Sequence, residues 1–505
     1  MKNKVWFFGN RISLLVTLVG IFIAAMGIRM YDLTDLPLDF HPARQLFSAF
    51  KARGMYYSML PESADVLAWH RELAIKQGDE SAIIEPPVME RLVAFTYLIA
   101  GGEYLWIARI YSSLFWLMGG VFLFLLAREI SSTDGAVIAL IFYLFLPYGI
   151  IASRSFQPDP LMVSLVIAGV WAMYHWRTNG TWKWAIAAGL LNGAAIFIKN
   201  VAVFPLLSVA IALVLERGFK ESVQDRKTWL VALLSALPTA LFVIYGTLIA
   251  GFLTQQFNFR FFPALLIDPA FYLRWKGQLD GIPGFGTVVF ALLGIFLAKR
   301  RGIIALLLGL WTGYVIYGMV FTYHITTHDY YNLPVIPIVA LSLSISVAIL
   351  SEHLSQPSML VRSIFALGLI IITMTHMWYA RVDLARVDYR QDVDFWWALG
   401  EKLGHTNPSI GLTPDYGARL AYWGWQDVSS WYYSEDLVLR ELAGKEVDLN
   451  QRFEAQIEGK CYFVVTQFGR LDDQREVKQT LYDSYPIYEQ TDKFIIFQLD
   501  SCESQ

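Results

Sequence analysis

From Ile12 to Tyr379 the chain alternates apolar runs with polar breaks, most of them short, and nothing else constrains its fold as strongly. An apolar run satisfies its backbone polar groups by closing them into a helix, and a helix apolar on every side needs lipid or protein around it. Such runs lie near Ile12–Ile28, Leu105–Ala127, Ala136–Ala152, Leu161–Trp176, Trp182–Ile198 and Val201–Leu215. Others lie near Leu230–Gly251, Thr287–Ala298, Ile303–Phe321, Leu333–Leu350 and Ile364–Tyr379. The predicted fold class is a polytopic α-helical membrane protein of about eleven transmembrane helices, several shorter than the roughly 20 residues a perpendicular span needs. Charged residues make up 16% of the 505, where a soluble domain carries about 25%, and the mean hydropathy is +0.44. A net charge of −3 excludes a generally basic nucleic-acid binder. The bilayer is an expected partner; nucleic acid is not.

Basic residues orient the spans. Lys2, Lys4 and Arg11 precede the first run, and no small-residue cleavage site follows it before Arg29, so it reads as an uncleaved span with its basic end inside. Arg128, Arg177, Arg217, Lys299-Arg300-Arg301 and Arg362 then share that side, provided the chain makes a tight external hairpin at Lys199-Asn200. This N-in, C-out arrangement predicts a multi-pass protein of the cell membrane whose site and C-terminal domain face outside the cytoplasm. Two domains are expected: residues 1–380 in the membrane, including a first external loop (31–102), and an external α/β domain over 381–505. The loop has amphipathic helical stretches at Ala43–Tyr57 and Ala64–Ile75, and a second external loop near Gln255–Gly284 carries Arg260, Arg274 and Lys276. In the tail, Cys461–Val465 and Phe494–Phe497 read as strands and Phe395–Leu403 as a helix. Cys461 and Cys502 could pair there or stay buried thiols.

Several polar residues sit where the spans meet the external side. Asp39 and His41, in Leu38-Asp39-Phe40-His41-Pro42, lie just past the first span; a carboxylate there suits a general base or a metal ligand. It equally suits the cap of a helix starting near Ala43. Glu85 precedes Pro86-Pro87, as an oriented carboxylate or as helix-start punctuation. Arg154 and Asp159 flank a very short break, and a carboxylate between two prolines at a helix mouth is costly unless partnered. Lys199 stands between apolar runs and requires an anion, for which a lipid phosphate at headgroup depth is the natural one, unless it snorkels to water. His328, Asp329, Tyr330 and Tyr331 precede a late span with groups able to bind sugar hydroxyls, phosphate or metal; paired Tyr also suits an interfacial belt.

No phosphate loop, dinucleotide fingerprint, CxxC zinc pattern or HExxH occurs. A transferred group would therefore arrive on a lipid carrier. A divalent cation is the one candidate cofactor.

Together these residues resemble the GT-C superfamily of polyprenyl-phosphate-sugar-dependent glycosyltransferases, nearest the protein-mannosyltransferase and aminoarabinose-transferase group. Leu38–Gln45 is similar to that group's first-loop acidic motif, Glu85-Pro86-Pro87-Val88 to the motif closing the loop, and Arg109, Asp159 and Lys199 to later positions. Tyr330-Tyr331-Asn332-Leu333-Pro334 echoes a Tyr-Leu-Leu-Pro-like signature. There are two departures from the group: Phe40, followed by His41, stands where a second acidic residue is common, and Glu85 stands where the aminoarabinose branch often has Lys. The latter speaks against assuming aminoarabinose as the sugar. The resemblance implies inverting transfer from a polyprenyl-phosphate-sugar donor to a glycan, lipid or protein hydroxyl. It implies Asp39 as base, Asp159 orienting acceptor or cation, and Lys199 with Arg154 or Arg260 on the donor phosphate. The competing readings are a transporter or flippase of a lipid-linked or anionic substrate, which also uses buried Lys and Asp, and a non-catalytic scaffold.

Overall fold

The computed structural model describes residues 10–254, 261–353, 358–442, 444 and 448–499. Packing divides the chain into two compact units. One comprises Met1–Leu33, Ile83–Val88 and Trp106–Arg386; the other comprises Thr34–Ala82, Met89–Leu105 and Val387–Gln505.

The described elements of the first unit are all helices, and the expected apolar runs fall on them. Among the described residues seven helices are long and apolar enough to cross a membrane, or eight if the pair Pro269–Gly281 and Phe285–Leu297, bent by 92°, counts as one span. Thr133–Phe145 and Trp182–Ile198 are apolar but shorter. The predicted second loop thus contains a helix, Pro269–Gly281, which starts where Asp268 accepts from the Ala270 N–H and proline occupies the first turn. Breaks elsewhere follow local chemistry. Pro147 divides Thr133–Phe145 from Pro147–Ala152, and left-handed Gly180 ends Asp159–Asn179. Lys199, extended at φ −154°, separates Trp182–Ile198 from the 3-10 turn Asn200–Ala202 and the helix Val203–Arg217.

Helices in lipid associate by close packing rather than by hydrophobic expulsion. Val203–Arg217 packs on Arg301–Val320, and a Cβ on Gly313 would lie 2.6 Å from Pro205 Cα and 2.7 Å from the Phe204 carbonyl. The glycine is required there by backbone contact.

In the second unit the first-loop segment forms two helices, Pro42–Met59 and Ala68–Glu80. The second begins four residues later than Ala64, because Pro61–Leu67 is taken up by turns, Ala64 N–H bonding to the Pro61 carbonyl and Val66 N–H to that of Ala64. The two helices touch at Gly54 and Gly78, where an added Cβ would come within 3.0 Å of the opposite Cα. Val88–Ala100 is a further helix that lies within the expected loop.

The tail forms a five-stranded mixed sheet: β1 (Ser409–Leu412), β2 (Val428–Ser430), β3 (Tyr462–Val465), β4 (Ile487–Gln490) and β5 (Ile495–Gln498), in the order β2-β1-β3-β5-β4. β1 runs parallel to β2 and β3, while β5 is antiparallel to β3 and β4. Its core packs Ile410, Leu412, Phe463, Val465, Ile495 and Phe497 with Trp431 and Phe453. The expected strands and the Asp392–Leu403 helix are present; Cys502 lies outside the described residues.

Gly313→Leu should force the two helices apart and, as overpacking, cost at least about 1–3 kcal/mol. The detergent-solubilised variant is expected to melt several degrees lower, while Gly277→Ala, at a site with nothing within 4 Å of the added Cβ, should melt like the parent.

Candidate functional site

Asp159 opens the helix Asp159–Asn179 directly after Pro158, with Pro160 next. Two prolines in three residues fix the local φ and set the carboxylate at the helix mouth. Lys199 reaches it from the break after Trp182–Ile198: Nζ lies 2.9 Å from both carboxylate oxygens. Both side chains are buried, at 7% and 5% exposure, so each charge depends on the other. The Lys199 Nζ also lies 5.3 Å from the Tyr330 ring centre and 5.7 Å from that of Tyr331, within cation–π range.

Tyr330 and Tyr331 belong to a 3-10 turn, Asp329–Asn332. A hydrogen-bond chain fixes it: Trp275 Nε1 donates to the Tyr314 hydroxyl (2.9 Å), which donates to Asn332 Oδ1 (2.5 Å), while Asn332 Nδ2 donates to the Ile325 carbonyl (3.0 Å). Tyr331 stacks on Tyr317 with centres 6.0 Å apart and an angle of 8°. His328 lies 5.3 Å from His324 and 6.1 Å from Tyr331, and Asp329 and Asp159 both act electrostatically on Tyr148. The structure thus brings together Asp159, Lys199, His328, Asp329, Tyr330 and Tyr331, which are scattered over the sequence.

Arg154 is buried and donates through Nη1 to the Tyr31 carbonyl (2.6 Å) and through Nη2 to that of Asp32 (2.9 Å). Arg109, also buried, donates to the carbonyls of Asp32 and Leu33 (3.2 and 3.1 Å). Two guanidiniums therefore hold the chain as it leaves the first helix, where Asp32 takes a left-handed φ of 48°. Arg29, fully buried, is a further anchor, donating to Ser153 Oγ and to the Ala25 and Leu144 carbonyls. It ends an apolar run, and its sequence position gives no hint of that burial. Glu85 is half-buried just before Pro86-Pro87 and the helix Val88–Ala100. Arg260 lies outside the described residues.

Asp39 and His41 belong to the second unit. Leu38 and Phe40 are buried at 3% and 8%, which leaves Asp39 between them half-exposed. The helix after it starts at Pro42 with His41 as N-cap, at φ 43° and without a side-chain cap bond. The N-cap position thus falls to His41 and not to Asp39. Fully buried Gln45 instead donates to the Phe40 carbonyl (2.6 Å) and to Asp39 Oδ1 (3.4 Å). Asp35 accepts from the Tyr389 N–H (3.0 Å). Burial raises the Tyr389 phenol above its ordinary range; Arg419 opposes this, and Asp39 and Asp35 add to it.

Among the described residues no group of three or more His, Cys, Asp or Glu side chains is placed to hold a metal ion.

Residues 84–245 match the family model described as dolichyl-phosphate-mannose-protein mannosyltransferase. No curated protein matches the chain. Among solved structures it is similar to apo ArnT from Cupriavidus metallidurans (TM-score 0.58, 14% identity, 96% of this chain and 98% of that one). The form of that protein bound to undecaprenyl phosphate also has a TM-score of 0.58 at 14% identity, over 96% and 99% of the two chains. The Archaeoglobus fulgidus oligosaccharyltransferase tethered to an acceptor peptide has a TM-score of 0.52 at 12% identity, over 88% of this chain and 68% of that one. The fold expected from the GT-C resemblance is thus observed, and Glu85, Arg109, Arg154, Asp159 and Lys199 fall inside the mannosyltransferase match.

Removing one member of a buried ion pair strands the other and costs about 3–5 kcal/mol, whereas replacing both by apolar groups is often near neutral. Asp159→Ala should therefore melt well below the parent, and Asp159→Ala/Lys199→Met should recover much of the loss in the same thermal scan.

Proposed function

We propose that this chain is a glycosyltransferase that moves a sugar from a polyprenyl-phosphate-linked donor to an acceptor hydroxyl outside the cytoplasm. One observation carries the reading: a buried lysine, held by one carboxylate and two tyrosine rings, inside the segment matching the mannosyltransferase family. The undecaprenyl phosphate bound by ArnT, a protein of similar fold, supports a polyprenyl-phosphate donor.

In this reading the acceptor oxygen attacks the sugar's anomeric carbon from the face opposite the phosphate, inverting it. The new carbon–oxygen bond forms as the bond to the phosphate oxygen breaks. That bond's electron pair stays on the leaving polyprenyl phosphate, and the acceptor proton passes to Asp39. Lys199 supplies a fixed cation where charge grows, which in a dry site needs no reorganisation. Asp159 is its counter-ion before the donor arrives. Arg154 and Arg109 act as positioning residues that hold the Tyr31–Leu33 carbonyls at the entrance to the first loop, and the Tyr330–Tyr331 turn, with His328 and Asp329, contributes to substrate contacts.

Mass analysis of cell-surface glycans and glycoproteins tests the proposal. Cells with the active chain should show a sugar addition that disappears with Asp39→Asn; unchanged masses would refute the transferase. Loss of the general base should slow transfer by about 10²–10⁴-fold. Lys199→Gln should weaken binding of polyprenyl phosphate by roughly 10–100-fold, with Lys199→Arg retaining part of it. Equal affinities in the three proteins would remove lysine from the phosphate.

A further inference from the structure

Gln157 stands two residues before Asp159, buried at 1% exposure, and neither its amide nitrogen nor its side-chain oxygen has a hydrogen-bond partner. Among the described residues it is the one carboxamide with both ends buried and unpaired. Such a group offers two donors and an acceptor, and leaving them unsatisfied is costly. A methionine of nearly the same shape would fill the space without that cost. The local backbone does not need the amide either: Gln157 N–H donates to the Ser155 carbonyl (2.9 Å), which also accepts from Ser112 Oγ (2.7 Å).

A second unpaired amide stands on the facing element. Asn200 follows Lys199 and opens the 3-10 turn Asn200–Ala202, which packs on the helix Asp159–Asn179, and its Oδ1 is buried without a partner. Each arm of the ion pair thus carries an unsatisfied carboxamide atom close to its charge. Asn192 Oδ1 is also unpaired but differs in kind: a Cβ on Gly169 would fall 2.2 Å from it, so the oxygen is pressed against a neighbouring helix.

The surroundings are ordered along the chain. One turn into the helix beyond Asp159, Met162 and Val163 line an apolar crevice of about 350 Å³ with Pro205, Pro334 and Ile338. Pro205 follows Lys199 and Pro334 follows the Tyr330–Tyr331 turn, so the three segments that meet at the Lys199 ammonium all continue into the crevice. Apolar crevice, ion pair and unpaired carboxamide therefore succeed one another at positions 163, 159 and 157. A polyprenyl-phosphate-sugar has three parts in the same order: hydrocarbon, phosphate and hydroxylated ring. A carboxamide is neutral and both donates and accepts, which matches a pair of neighbouring hydroxyls.

We infer that Gln157 hydrogen-bonds hydroxyls of the donor's sugar, and so distinguishes the loaded carrier from the spent one. The inference rests on the transferase reading. The full-length protein in detergent would be titrated by microscale thermophoresis with undecaprenyl phosphate and with undecaprenyl-phosphate-linked mannose, glucose and galactose. At least one sugar-bearing lipid should bind the parent more tightly than undecaprenyl phosphate does. Gln157→Met should weaken that lipid about tenfold or more while moving undecaprenyl phosphate by less than about twofold. Because the substitution removes two unsatisfied atoms at nearly constant shape, the ligand-free variant should melt at or above the parent. No preference for any of the three sugars, equal weakening of both lipids, or unchanged binding of the sugar-bearing lipid overturns the contact. A ligand-free variant that melts below the parent also overturns it, since Gln157 would then be a structural amide satisfied by ordered water. Lys199→Gln separates this inference from the reading beneath it, because it should weaken both lipids alike. If it does so while Gln157→Met weakens neither, the sugar contact fails and the phosphate site stands. If Lys199→Gln weakens neither lipid, the phosphate site fails, and the Gln157→Met comparison still decides the sugar contact.

Discussion

The ion pair between Lys199 and Asp159 is the interaction on which the membrane unit's polar chemistry depends. Either charge alone in that environment would be prohibitively expensive, so the two elements that carry them must meet. This explains the local breaks on both sides: prolines on either flank of Asp159 stop the preceding chain and start its helix, and Lys199 leaves helical geometry between two apolar runs. The tyrosine turn completes the enclosure. It is held by Asn332, whose amide bonds to both Tyr314 and the Ile325 carbonyl, so the rings facing the ammonium are set by groups that never touch it. A pair of this kind is worth little as stabilisation and much as preorganisation, since it keeps a cation ready in a place from which water is largely excluded.

A second theme is the use of buried arginines as backbone clamps. Arg29, Arg109 and Arg154 all direct guanidinium hydrogens at main-chain carbonyls. A guanidinium has five donors in a rigid fork and remains charged, so one side chain can order a segment that lacks regular structure. The stretch Tyr31–Leu33 receives two of them. Its left-handed Asp32 is thereby tolerated in a non-glycine residue.

Much of this was legible in the sequence, for identifiable reasons. Apolar runs located the membrane helices because period and composition are local properties; how many of them span remains a matter of length, as the short Trp182–Ile198 shows. The need of Lys199 for an anion was legible from its neighbours, but the anion found beside it is Asp159, forty positions earlier, which no local pattern encodes. The helix expected near Ala43 begins at Pro42 with His41 as its N-cap, and the two readings of Asp39, base and cap, look alike in the local sequence. The first-loop helix near Ala64 was displaced because turns consume Pro61–Leu67. The stacking of Trp69 on His405, with ring centres 4.8 Å apart, was invisible, since only the fold joins them.

The second unit is assembled from segments far apart in the order of synthesis. Gln77 bonds to the Ala421 carbonyl across 344 positions, and β5, close to the end of the described chain, is an inner strand of the sheet. At about 5–20 residues per second, the early helices wait on the order of 20–70 s for their partners while the membrane helices are made. During that interval Trp69, Tyr57 and Arg53 have nothing of the tail to rest on. A chain built this way exposes sticky aromatic surface for most of its own biogenesis, so its yield depends on whatever shields that early segment, and insertions between the units tax folding time more than final stability.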